Sequence, residues 1–122
     1  ARRMTLDIED VRAARAREDQ ASRLVDHGDP SMFERVEATL DGEDRPEDFD
    51  EETAVKLATE LADIRQGKLV KLASFEAADM PVNRDGMTED EATLVEDLAE
   101  RMVEWRESVV PTAPQEAHNE LR

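Results

Sequence analysis

The chain has 122 residues, enough for one domain with a modest core, and it contains no cysteine, which excludes disulfides and thiolate sites. Its 32 acidic and 16 basic residues leave a formal charge of −16, so the surface repels nucleic acid and anionic lipid at long range. No apolar run reaches the length of a signal sequence or a membrane span, and a cytoplasmic protein is expected.

The kinds of charged residue also indicate the salt concentration to which the chain is adapted. Only Lys56, Lys68 and Lys71 are lysines, and the other cations are arginines. High acid content with arginine in place of lysine indicates a halophilic chain, soluble at high salt, where the repulsion among its own charges is screened. Intrinsic disorder is the alternative, since it too predicts high charge and few aromatic residues. Periodic leucine, isoleucine and valine argue against disorder in the middle and last thirds.

Strong helix formers from Asp7 to Val25 predict the first helix. Its apolar face is thin, so we expect a peripheral helix that leans on the bundle without a place in the core. Its cations and neighbouring acids are expected to form a solvated face: Arg12, Arg15 and Arg17 with Glu9, Asp10 and Glu18.

A helix break follows at His27-Gly28-Asp29-Pro30. Gly28 is expected to end the first helix, with Asp29 as the cap of the second and Pro30 at its first position. The second helix is predicted over Ser31–Leu40. His27 is interpreted as a surface turn residue and not as a catalytic base, because the sequence offers it no special partner.

An acidic loop over residues 41–52 leads to the third helix, predicted over Glu51–Ala73. The loop does not fit an EF-hand, since Pro46 interrupts it and the spacing of acids is wrong. The third helix carries an apolar stripe at spacings of three and four. In its last turns Arg65, Lys68 and Lys71 form a basic row, which also suits the helix dipole. Gly67 either lets another helix backbone approach closely or is a tolerated imperfection.

Helical periodicity stops at Met80-Pro81, and a turn is expected in which Gly86 is able to take positive φ. Thr88 and Glu91 form a capping box that starts the fourth helix, predicted over Glu89–Val109. Trp105 lies on the apolar stripe of this helix. We interpret it as an anchor of the core, in preference to a surface on which a ligand stacks. The tail from residue 111 to 122 has two prolines and is expected to be a flexible linker.

No catalytic or metal-ligating motif emerges from this pattern. The two histidines lack ligand spacing, and serine–histidine constellations and phosphate-binding glycine loops are missing. The residues alone therefore predict an all-α bundle of about four main helices that acts through interactions, with no cofactor, no metal and no enzymatic activity.

The run IRQGKLVKLA from Ile64 to Ala73 resembles the signature helix of GINS subunits of the replicative helicase. In that family an arginine–x–x–lysine pattern runs into aliphatic residues, a basic residue, leucine and alanine. A loop and a threonine-capped long helix follow, as they do here at Thr88. The likeness covers about Leu6 to Val110, is strongest from Asp63 to Arg106, and is closest to archaeal, salt-loving members whose helical domain comes first.

The resemblance implies a helical domain over residues 1–110 that packs with sister GINS subunits into a homo- or hetero-tetramer. Such an assembly bridges the MCM helicase and a RecJ-like partner as a non-catalytic scaffold, and it is nucleoid-associated through the replisome. Sequence-specific nucleic-acid binding and membrane binding are not expected. The family's small β-rich domain follows this linker, and we expect it to be absent from this chain, either because it was removed or because this is a shortened paralogue. A free-standing acidic regulator or nucleic-acid mimic is the alternative function.

The interface with a sister subunit is predicted from apolar residues that the thin first helix cannot cover. A second row on the third helix, Val55, Ala58, Ala62 and Leu69, is expected to be exposed without a partner. The apolar residues expected to divide between the intrachain seam and the interface are Leu61, Ile64, Leu69, Leu98, Met102 and Trp105. Arg65, Lys68 and Lys71 are expected to pair with acids at its rim or inside the chain.

Overall fold

The structure, a computed structural model, describes residues 5–111. It confirms the all-α prediction: four helices and no strand lie within this part of the chain. The helices are α1 Ile8–Gln20, α2 Met32–Asp41, α3 Glu51–Ala77 and α4 Glu89–Val109. None of these helices combines the length and apolar character needed to span a membrane. The tail predicted as a linker lies, apart from Pro111, outside the described residues.

Three of the helices run in the same direction. Arg15 and Glu18 of α1 pair with Glu60 and Arg65 of α3, so both helices advance together. Arg65 pairs with Glu91 at the start of α4, and the Ser74 hydroxyl donates to Met102 further along, so α4 is also parallel to α3. The connection over residues 78–88 therefore leads the chain back beside the middle of α3.

The helix α2 returns in the opposite direction beside α1. Its residue Thr39 accepts a hydrogen bond from the backbone N–H of Leu6, next to the start of α1, while Arg35 donates to the carbonyl of His27 near the other end. Ser31 caps α2 and forms a capping box with Glu34. The expected cap at Asp29 is wrong, because α2 begins two residues after the proline.

The hydrophobic core has two parts, separated along α3. The first joins α1, α2 and the first half of α3, and the second joins the end of α3 with α4 and Leu24. Fully buried Val11 and Ala14 show that the peripheral position expected for α1 is wrong. The acidic loop also contributes a core residue, Phe49, whose side chain has no exposed surface.

Two helix ends differ from the predictions. α1 ends at Gln20 and not at Val25, because backbone groups of residues 23–25 bond to side chains of the core and cannot remain in helical hydrogen bonds. α3 continues to Ala77, since Ala73 and Ala77 are both buried on its inner face. It closes with Asp79 at φ 62 and with the N–H of Met80 donating to the carbonyl of Phe75, a Schellman ending.

Candidate functional site

Arg65 lies between the two parts of the core. It follows Leu61 and precedes Leu69 by four residues on the buried stripe of α3, and it is only 3 % exposed. All five of its N–H groups donate. Nε and Nη2 hold both carboxylate oxygens of Glu91 at 2.7 and 2.6 Å, and Nη1 donates to Glu18 at 2.7 Å. The other two bonds reach the carbonyls of Val25 and Gly86.

Glu18 is the second centre of this cluster and has no exposed surface. One carboxylate oxygen accepts from Arg65 and lies 2.7 Å from Nε2 of His27; the other accepts from Lys68 at 2.6 Å and from the backbone N–H of Val25. Burial by itself raises the pKa of this carboxyl, but the hydrogen bonds from Lys68, His27, Arg65 and Val25 outweigh it and lower the pKa to about 2. Glu18 is therefore a fixed anion at neutral pH.

The cluster joins almost every segment of the fold. Lys68 donates its three N–H groups to the Glu18 carboxylate and to the carbonyls of Glu18 and Arg23. We call Glu18, His27, Arg65, Lys68 and Glu91 the charge cluster. It ties α1, the segment after α1, α3, the loop before α4, and α4 to one another, and its charged groups are saturated with partners.

Gly86 brings the loop before α4 into this cluster. Its φ is +79°, a conformation that glycine is able to take, and a Cβ at this position would lie 2.7 Å from the carbonyl oxygen of Leu24. The close approach of these two backbones puts the Gly86 carbonyl within reach of Arg65. Thr88 and Glu91 form the predicted capping box, so Glu91 both caps α4 and neutralises Arg65.

The structure distributes the predicted interface residues between core and surface. Leu61 and Leu69 are buried, Ile64, Leu98 and Met102 are half-buried, and Trp105 is 59 % exposed. The expectation that Leu69 is uncovered is wrong, because Leu69 packs with Leu24, Ala73 and Val95. The interpretation of Trp105 as a core anchor is wrong as well.

The three residues of the basic row have separate environments. Arg65 and Lys68 pair inside the chain, one of the two alternatives that the sequence leaves open. Lys71 is exposed, with its Nζ 5.9 Å from the centroid of the Phe75 ring. The row is therefore not a continuous basic surface.

Sequence reasoning missed Glu18, His27 and the second role of Glu91. His27 is not a surface turn residue, since its side chain is 5 % exposed and contacts Glu18. Glu18 was placed on a solvated face, yet it continues the buried stripe of Ile8, Val11 and Ala14. Arg65 and Glu91 likewise fall on the apolar stripes of their helices. Charged residues of both signs at stripe positions were the signal for a buried cluster.

An open cavity of about 970 Å³ borders the charge cluster between α2, α3 and the start of α4. Its wall includes His27 and Arg65, together with residues 28–34 in part and 86–91. Within residues 5–111 no group of three histidine or acidic side chains has the arrangement of a metal site. The carboxylates of the charge cluster are committed to cations and N–H donors, so its chemistry is to hold charge and fix geometry.

Comparisons of the chain with protein-family models, with curated proteins and with solved structures find no match.

Proposed function

We propose that this chain is a non-catalytic scaffold subunit of a GINS-like replication complex, which assembles with sister subunits and bridges an MCM helicase and a RecJ-like partner. The resemblance of residues 64–73 and of the Thr88-capped helix supports this proposal. Arg65 and Glu91, which belong to these two segments, bind each other in the charge cluster, and Lys68 of the first segment binds Glu18 there. The segments that resemble GINS subunits thus include the residues whose contacts position α4 on α3.

The exposed end of α4 is the observation that carries the scaffold function. Residues of α4 lie beside residues of α3 that are 26 to 28 positions earlier, so α3 ends about level with Trp105. The last turn of α4 therefore extends past α3 with Trp105, Val109 and Val110 more than half exposed. Three large apolar side chains on a chain of charge −16 favour a surface that a partner covers.

Because Leu69 is buried, we place the proposed interface at the end of α4 and not on the second apolar row of α3, to which Leu69 belongs. Trp105 is the central residue, because tryptophan is enriched among the residues that dominate binding energy at interfaces. Half-buried Leu98 and Met102 lead from the core to this surface along the same stripe. A sister subunit that packs a helix against the end of α4 would cover it.

The experiment is co-purification of the chain with candidate sister subunits from a salt-loving archaeal lysate, with Trp105→Ser as the test variant. The variant should remain folded but lose the sister subunit, because the position is exposed in the isolated chain. Met80→Ser is the control, since Met80 is 52 % exposed and lies in the loop before α4. Retained assembly of Trp105→Ser, or equal loss in both variants, would contradict the α4 interface.

The chain's single tryptophan provides a second readout. Assembly over the end of α4 should shift the emission of Trp105 to shorter wavelength, because the indole leaves water. The alternative function, a free-standing acidic regulator or nucleic-acid mimic, is favoured by the charge of −16. A chain that stays monomeric in the lysate, with unchanged tryptophan emission, would favour that alternative.

A further inference from the structure

The cavity beside the charge cluster has a strongly acidic wall. Asp26, Asp29, Glu34, Glu89 and Asp90 line it, along with the Glu91 that Arg65 neutralises. Arg65 is the one lysine or arginine in this lining, and each of its donors already has an acceptor. The negative charge of the wall is therefore not balanced from within the lining, and an occupant with positive charge is favoured.

The cavity also has apolar surface. Met32, Phe33, Ala62, Leu69, Met87 and Leu94 contribute to its lining. Leu94 is 43 % exposed there, although it belongs to the apolar stripe of α4. The volume of about 970 Å³ is at the upper end of the range of about 300 to 1,000 Å³ typical of ligand sites. An occupant thus gains from an apolar side chain as well as from a cation.

The ring of His27 is held at the cavity wall. Its Nε2 lies 2.7 Å from a carboxylate oxygen of Glu18, which can only accept, so Nε2 is the donor. Nδ1 is buried and has no hydrogen-bond partner among the described residues. A buried polar atom without a partner is uncommon in folded proteins, and this one belongs to a residue of the cavity wall.

We propose that this cavity is a docking site for a segment of a partner protein that presents a lysine or arginine beside an apolar side chain. The acidic wall binds the cation, and Leu94 with its apolar neighbours binds the adjacent side chain. The site lies at the start of α4, whereas the proposed sister-subunit surface lies at its other end. The two proposals are independent, and either can hold without the other.

The experiment is an NMR titration of the isotopically labelled full chain with a synthetic peptide of alternating lysine and leucine. We expect saturable binding, with the shifted backbone amides confined to residues 26–34 and 86–94. Leu94→Lys should weaken binding about tenfold, because it places a cation where the occupant's cation and apolar side chain meet. Val109→Lys is the matched control, since it makes the same charge change at an exposed position of α4 outside the cavity.

Two further ligands separate docking from general attraction to an acidic protein. A peptide with serine in place of leucine keeps the charge and removes the apolar side chains, and it should bind much more weakly. Spermine tests for a small cation as the occupant. Equal binding of the serine peptide, equal or tighter spermine binding in the same residues, or equal loss in both lysine variants would overturn the proposal. Absence of saturable lysine–leucine binding to the unmodified chain would overturn it as well.

Discussion

Arg65 is buried and Lys68 is half-buried, and both positions are tolerated because each of their N–H groups has an acceptor. Burying a charge without partners costs several kcal/mol, so a partly satisfied cluster would destabilise the bundle. Here eight donors reach two carboxylates and four backbone carbonyls. Each acceptor stands at one place in the fold, so the cluster specifies the arrangement of the helices as well as tolerating burial.

Removing the negative charge of Glu18 tests this account. Glu18→Gln removes a counter-charge from buried Arg65 and from half-buried Lys68, and we expect the free energy of unfolding to fall by about 3 kcal/mol or more. Urea denaturation measures the change. Glu60→Gln is the control, because Glu60 pairs with Arg15 at a partly exposed site, where such pairs contribute about 1 kcal/mol or less. Equal effects of the two substitutions would contradict a special role for the cluster.

The same carboxylate predicts how stability depends on pH. The pKa of Glu18 falls from its ordinary value of 4.5 to about 2 in the folded chain. A lowered pKa stabilises the fold above the unfolded value, so this contribution, about 3 kcal/mol, is present above pH 4.5 and lost as the pH falls towards 2. Burial alone raises the pKa of Glu91, but hydrogen bonds from Arg65 and Thr88 hold it below its ordinary value, which acts in the same direction.

Acid titration of unfolding free energy checks this pH dependence. The unmodified chain should lose stability steeply below pH 4.5. Glu18→Gln, which cannot titrate at this position, should lose less over the same interval. Parallel curves for the two proteins would show that Glu18 does not carry the effect.

At the scale of the helices, α3 contributes to both parts of the core. The glycine within it, Gly67, is not required by any contact among the described residues. A Cβ built on Gly67 meets nothing within 4 Å. Close approach of another helix, one reading of this glycine from the sequence, therefore does not occur among the described residues.

Gly67→Ala should accordingly stabilise the isolated chain by about 0.5 to 1 kcal/mol, because alanine has the higher helix propensity. Thermal unfolding of the single-chain protein measures the gain. Gly86→Ala is the contrasting variant, and it should destabilise, since its Cβ would collide with the backbone of Leu24. If Gly67→Ala stabilises the chain but weakens assembly, the glycine serves contact with a partner.

The helices could be predicted from the sequence, whereas their mutual directions and several ends could not. Periodicity locates α4 to the residue and α2 within one residue, because apolar spacing and caps are local signals. The early end of α1 depends on Arg65 and Lys68, which donate hydrogen bonds to the carbonyls of Val25 and Arg23 over separations of 40 and 45 positions. Local propensity contains no information about such bonds.

The candidate sites were less predictable than the helices for the same reason. Trp105 lies on a regular apolar stripe, and its exposure follows only from the parallel direction of α4, which carries it to the end of α3. The cavity joins residues 26–34 with residues 86–94 across the fold. Its acids were visible in the sequence, but their convergence required the three-dimensional arrangement.

The charge of the whole molecule is far from balanced, and its acids are mostly on the surface. Their mutual repulsion opposes folding at low ionic strength. The screening length is about 10 Å at 0.1 M salt and shortens to about 3 Å at 1 M, so the repulsion weakens as salt is added. The charge cluster is out of solvent and is screened much less.

We therefore expect the melting temperature to rise with potassium chloride from about 0.1 M into the molar range. A variant with several exposed acids of α4 changed to amides, such as Asp97→Asn with Glu100→Gln, should show a shallower rise. A melting temperature that stays flat or falls with salt would contradict the halophilic interpretation.

The loop that returns from the end of α3 to its middle sets the order in which a nascent chain can be completed. While the ribosome has released the chain only as far as α3, Arg65 can reach Glu18 and Val25, but its bidentate partner Glu91 has not yet left the ribosome. At that stage Arg65 lacks acceptors for three of its N–H groups. Two of them bond to the Glu91 carboxylate in the folded chain, and the third bonds to the Gly86 carbonyl. We therefore expect the release of the final helix from the ribosome, and not the formation of the earlier helices, to complete the fold of this protein.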